Sequence, residues 1–458
     1  MLKSIKLLIW LYLVLLIFEG ALRKWVFPGA ADALLIVRDP VVLLIYLLAV
    51  FRRVFPVNGF VVTVFALMVV SVAFSFLAGQ NNWPVMFYGL RINYLHLPLI
   101  WVMAEVLDQR DVERYGTFIL LIAVPMALIM VQQFRSPMDA PINRGVGGTD
   151  IGQIFGANGK IRPPGLFAFI TGPQLFLPLA AAFFFFQASV RRQLPWLILL
   201  GAGIAIAISL PVSISRTAVI ATVLVGATFG LTLLFSSKRG GALLRTGVIM
   251  GALLVGLSYL PIFKEGRDTF LMRWDTAAIS SDGDAVQNVT DRIFGGFFTP
   301  FRAMTRAKTF GMGIGVGSNV GAKLLSGKVG FLLAEDEWSK VFLELGPVLG
   351  CAFIFFRIGL TCYLGVVALG ALLYRREALP LLIFSATGAA VFQYQWGPPT
   401  LLGFAVFGSG MVLAALKPAP VVESVTIDEH RPEPIVLPRT PPPATPQRPP
   451  ATAKATLA

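Results

Sequence analysis

The sequence predicts an all-α polytopic membrane protein with about twelve transmembrane helices and two extended outer loops. Three observations predict it. Of the 458 residues, 56% are hydrophobic and 14% charged, with a mean hydropathy of +0.76, which is not the balance of a soluble globular domain. Apolar runs of about 20 residues, the length that crosses a hydrocarbon core, recur along the chain. Every second short link between them carries at least two basic residues.

The first span, 5–22, follows Lys3 and Lys6, and no small-x-small cleavage site precedes "EGALRKW", so it is read as a retained helix and not as a signal peptide. Further spans are expected at 30–51, 59–79, 86–107, 114–134, 165–188, 194–213, 215–236, 243–262, 341–373, 379–395 and 399–416. The basic links are Arg52–Arg53, Arg110 with Arg114, Arg191–Arg192, Lys238–Arg239 with Arg245, and Arg375–Arg376. Basic loops stay in the cytoplasm, which puts both termini there. Two long segments, 135–164 and 263–340, then lie outside; loops of this length are usually functional or disordered. The transmembrane domain is 1–416 with these loops. Residues 417–458 are proline-rich with mixed charge and are read as a disordered cytoplasmic tail.

Composition also excludes. The net charge of +14 does not indicate nucleic acid, because no basic run is interleaved with stacking aromatics in a segment long enough to be a soluble domain. Cys351 and Cys362 share one apolar segment and read as packing residues; with His96 and His430 they offer no metal site. The halves show no strong similarity, which weakens an inverted-repeat transporter.

The charges inside apolar sequence carry the functional signal. In "SLPVSISRTAVIATVLVG" (209–226), Arg216 is the only charged residue between Leu194 and Phe235. That stretch is long enough for two spans, with Pro211, Ser213 and Ser215 as turn residues at its middle, so Arg216 is expected at the outer tip of a hairpin. Arg23, Lys24, Arg91 and Arg162 are expected at the same level. Each alone is also explained by snorkelling to lipid phosphates or capping a helix. Together they suit a phosphate-bearing ligand in the membrane, because arginine grips phosphate oxygens bidentately. Glu19, the neighbours Arg38 and Asp39, and Arg357 fall deeper; Glu19 or Asp39 is expected to pair with an arginine.

Four features resemble the O-antigen ligase and O-antigen polymerase superfamily of bacterial envelope enzymes: the number of spans; "RPPGLFAFITGPQLFLPLAAAFF" (162–184); "SISRTAVIA" (213–221); and a late outer loop closing with "FGMGIGVGSN" (310–319) and "AEDEWSKVFLELGPVLG" (334–350). The resemblance implies a membrane (C-type) glycosyltransferase of the bacterial inner membrane that makes surface polysaccharide or exopolysaccharide. Its donor would be a glycan on a polyprenyl (undecaprenyl) diphosphate, its acceptor a second glycan or lipid-linked glycan, and it would need no metal or nucleotide. Its surroundings would be membrane lipid, with a chain-length regulator or other assembly protein as a further possible partner.

Such a transfer requires cations for the departing diphosphate and a base for the acceptor hydroxyl. Arg91, Arg162 and Arg216 are the candidate cations, with Arg216 also catalytic. Ligases of this family carry a His-Asn pair about nine residues before the Glu-Leu-Gly. Here Glu335 and Asp336 stand there, so Glu335 or Glu337 becomes the candidate base, and loss of the histidine favours polymerase over ligase activity. The same acids also read as a solvated loop before a span. "GMGIGVG" lacks the strand and helix of a dinucleotide fingerprint, and "SDGDA" (281–285) and "NVT" (288–290) read as loop residues. The competing class is a transporter or flippase for a lipid-linked or anionic solute, which would keep its polar groups near the midplane.

Overall fold

The computed structural model describes residues 2–149, 155–156, 159–190, 194–235, 256, 258–279, 299–328 and 330–418. Most of the span expected at 243–262, the basic residues Arg191, Arg192, Lys238, Arg239 and Arg245, the segments "SDGDA" and "NVT", and the tail after 418 lie outside them. Among the described residues the fold is all α, with one isolated antiparallel bridge between Phe155 and Ile161.

The chain runs α1 Lys3–Ala21, α2 Arg38–Phe51, α3 Gly59–Leu77, α4 Trp83–Leu90, α5 Leu99–Val106, α6 Gln109–Arg135 and α7 Thr171–Phe185. It continues with α8 Trp196–Val212, α9 Arg216–Leu234, α10 Pro261–Ile279, α11 Asn319–Ser326, α12 Glu337–Arg375, α13 Leu379–Phe392 and α14 Pro399–Ala414. Among the described residues, six helical segments are long and apolar enough to cross a membrane: Lys3–Val26, Pro28–Phe51, Gly59–Leu77, Gln109–Arg135, Arg216–Leu234 and Glu337–Arg375. α8, α13 and α14 are apolar but shorter.

Local sequence accounts for the breaks. Asn58 and Asn82 cap α3 and α4 by accepting from Val61 N and Val85 N, and Asp108 with Asp111 forms a reciprocal capping box at α6. The span expected at 86–107 is two short helices, because the backbone widens into a π turn at Arg91–Leu95 and Pro98 follows. The span expected at 165–188 becomes helical only at Thr171, after the irregular Gly165–Ile170.

Burial sorts the helices into an inner and an outer set. α14 is buried from Leu401 through Ala414 and α7 from Leu175 through Phe184, as befits helices apolar on every side. α2, α3 and α9 instead expose Leu43, Leu47, Val62, Val69, Ile220 and Val223, a surface that only lipid satisfies. α7, α9 and α13 pack against one another.

The two glycine motifs lock together. α12 breaks at Gly346, whose φ is 78°, just before Pro347. Into this break fits segment 310–318: Met312 N donates to Leu343 O (2.9 Å), Gly313 N to Glu344 O (3.0 Å) and Gly317 N to the Glu344 carboxylate (2.7 Å). On its other side Ile314 N donates to Ser75 Oγ at 3.0 Å, and Gln80 donates to Ile314 O at 3.0 Å. Gly315 has φ +89°, and a Cβ there would stand 2.3 Å from Val85 O. Gly315→Ala is therefore expected to destabilise the protein by about 2 kcal/mol or more. Gly330→Ala, where a Cβ meets open space, should leave the unfolding midpoint in detergent unchanged.

Candidate functional site

The site begins at the tip between α8 and α9. Ser215 Oγ accepts from Ala218 N and caps α9, which makes Arg216 its first residue. Ile214 before it is fully buried with φ 47°, an unfavourable conformation for a β-branched residue. Neighbours hold it there. Ser213 Oγ donates to Leu210 O (2.7 Å) and accepts from Ser215 N (3.3 Å), while Arg273 of α10 donates to Ile214 O (2.8 Å). Gly156 packs on Ile214 beside the antiparallel bridge between Phe155 and Ile161, and Arg162 follows directly.

Arg162, Arg216 and Arg273 consequently gather at one place. Burial, then the charges of Arg273 and Arg216, push the Arg162 guanidinium down to about 10. Arg273 is lowered by burial and by Arg216. Arg162 stays cationic at neutral pH, and its Nε is buried with no hydrogen-bond partner among the described residues. Mutually repelling guanidiniums beside the positive end of a helix dipole form a site for an anion. The entry segment of α7 is fixed at the same time: Lys24 Nζ donates to Gly165 O (2.8 Å), and Gly165 N to Gln133 Oε1 (2.8 Å).

Next to Arg216, Thr217 lines a cavity of about 760 Å3. Its walls come from the start of α7 (Thr171, Gln174), the approach to α12 (Phe331, Glu335, Asp336, Glu337, Trp338) and the link from α13 to α14 (Phe392 to Gln395). Arg216 thus opens α9 and the next residue, Thr217, lines the cavity.

The three acids occupy three different environments. Asp336 is the N-cap of α12 and accepts from Ser339 N at 2.8 Å. Glu337 is fully buried, with Lys340 at 2.7 Å on one oxygen and Arg357 at 2.9 Å on the other. Arg357 also donates to Val391 O and Tyr394 O and lies 4.0 Å over the Trp396 ring. Both oxygens of Glu337 are engaged by cations, which suits it to hold the cavity wall and not to take a proton. Glu335 is exposed in the cavity, with Gln395 donating to its backbone carbonyl. Of the three acids it alone is exposed in the cavity without capping a helix.

Arg91 has partners of its own. Its guanidinium pairs with Asp39 and donates to Leu35 O at 2.9 Å. Asp39 also contacts His96 (3.0 Å), which meets Tyr12 (3.2 Å), which accepts from Arg38 (3.2 Å). Glu19 closes this buried chain between Arg23 (3.1 Å) and Arg38 (3.4 Å). Both deep carboxylates therefore pair with arginines, as expected. The cations expected at the outer interface divide: Arg162 and Arg216 come together, whereas Arg23 and Arg91 form internal ion pairs with Glu19 and Asp39. Arg91 is thus held through Nε and Nη2, while its Nη1 is buried with no hydrogen-bond partner among the described residues.

Arg273, Gln174, Thr217, Tyr394 and Gln395 were not singled out by sequence. Arg273 lies in "KEGRDTFLMRWD" (264–275), a mixed-charge stretch of the long segment expected outside, where no local signal separates a docking arginine from a solvated one. Among the described residues no group of three His, Cys, Asp or Glu side chains is placed to hold a metal ion. Comparison with protein-family models, curated proteins and solved structures finds no match to this chain.

Proposed function

We propose that the protein is a membrane glycosyltransferase that polymerises or ligates polyprenyl-diphosphate-linked oligosaccharide at the outer face of the bacterial inner membrane. The observation that carries this is the Arg162–Arg216–Arg273 cluster at the start of α9, whose second residue, Thr217, lines the Glu335 cavity. The layout that goes with it is twelve spans with both termini in the cytoplasm.

The chemistry needs two opposite environments a few ångströms apart. On the acid side, Glu335 accepts the proton of an acceptor hydroxyl as its oxygen attacks the anomeric carbon of the donor sugar. The bond from that carbon to the phosphate oxygen breaks, and its electron pair leaves on the carrier diphosphate. On the basic side the guanidiniums stabilise the charge that develops there. The resemblance in the motifs at 162–184, 213–221 and 310–350 supports the same reaction.

Binding of the carrier diphosphate should follow the charge of Arg162. A guanidinium stays protonated, so affinity for a polyprenyl diphosphate, read by equilibrium binding in detergent, is expected to change little between neutral and mildly alkaline pH and to weaken as salt screens the charge. Arg162→Ala should bind more weakly throughout and lose part of that salt dependence. For activity, proteoliposomes supplied with a polyprenyl-diphosphate oligosaccharide are expected to lengthen the glycan. Unaltered donor crossing to the opposite leaflet would replace the reading with transport.

A further inference from the structure

We infer that the glycan taken into the Glu335 cavity carries no acidic groups: the acceptor is a neutral saccharide or one bearing an amino group, and uronate-type sugars are discriminated against. This rests on the glycosyltransferase reading for the chemistry, but the charge argument concerns the cavity alone. Glu335 and Asp336 expose carboxylates there, while the charge of Glu337 is offset within the wall by Lys340 and Arg357. Among the described residues that line the cavity there is no lysine or arginine. An acidic sugar would bring a third carboxylate into a concave site whose described lining holds no cation to receive it, and like charges brought together oppose binding.

The rest of the lining suits an uncharged sugar. Thr171, Gln174, Thr217 and Gln395 supply hydroxyl and amide groups that both donate and accept, matching the mixed character of sugar hydroxyls. Trp338 stands edge-on to Phe392, ring centroids 5.2 Å apart, and its indole N–H donates to Phe392 O at 3.4 Å. That fixes an aromatic wall against which the C–H face of a pyranose packs.

The test is binding, independent of turnover. The full chain in detergent is titrated with a neutral hexose oligosaccharide and with one of equal length containing a uronic acid, read by saturation-transfer NMR. The neutral glycan is expected to bind at least tenfold tighter, with the ratio shrinking as salt screens the carboxylates. In Glu335→Gln/Asp336→Asn, where asparagine preserves the cap, the ratio should fall towards one; Glu335→Gln alone, at an exposed side chain, serves if the double variant does not fold. Equal binding of the two glycans by the unaltered protein, a ratio that survives these substitutions, or no binding of either glycan would overturn the inference. Absence of transfer with the binding ratio intact would instead overturn only the transferase reading.

Discussion

Arg216→Ala is expected to lower glycan transfer from a polyprenyl-diphosphate donor about 100- to 1,000-fold, the usual effect of removing one donor from a site of developing negative charge. The variant should still fold. Arg216 is half-buried at the first position of α9, where Ser215 and not Arg216 supplies the cap, and its removal relieves repulsion on Arg162 and Arg273. Arg216→Lys keeps the charge but not the planar fork that meets two phosphate oxygens, so it should recover part of the rate. Initial rates in proteoliposomes, alongside the thermal midpoint of each variant, separate the two contributions. Turnover like that of the unaltered protein in a folded Arg216→Ala would remove Arg216 from the chemistry.

The second large effect divides two neighbouring acids. Glu335→Gln is expected to reduce turnover by about 100- to 10,000-fold, the range for loss of a general base, with the unfolding midpoint unchanged because the side chain is exposed. Glu337→Gln should act the other way round. It leaves Lys340 and Arg357 facing each other in the interior without their shared carboxylate, and breaking a buried ion pair from one side typically removes about 3–5 kcal/mol. Its signature is therefore lower yield and a lower midpoint. Were Glu337→Gln to fold normally and lose turnover while Glu335→Gln kept it, the roles assigned to the two acids would be exchanged.

Much of this site was legible in the chain because its determinants are local. A lone arginine with Pro211, Ser213 and Ser215 beside it in a double-length apolar run specifies a hairpin and places the arginine at its turn. The spacing of "EDE" to "ELG" likewise located the approach to α12. What remained hidden depended on partners far away in sequence. Arg38 and Asp39 are adjacent, and adjacent residues on a helix do not share a face; one turns to Glu19, the other to Arg91. Glu335 and Glu337 differ in role because Asp336 is the N-cap, which sends Glu337 into the first turn and the interior, and no pattern in the sequence distinguishes which of three acids caps. Hydropathy also counted a continuous span at 86–107 where packing makes two short helices, since composition does not report a π turn or a polar network beneath it.

The association of the carrier diphosphate with the α9 turn is tested most directly by a structure of the protein with a bound polyprenyl diphosphate. The diphosphate oxygens are expected within about 3 Å of the guanidinium nitrogens of Arg216 and of Arg162 or Arg273, with the donor sugar directed towards Glu335. A diphosphate held elsewhere, with these arginines turned away from it, would contradict the assignment.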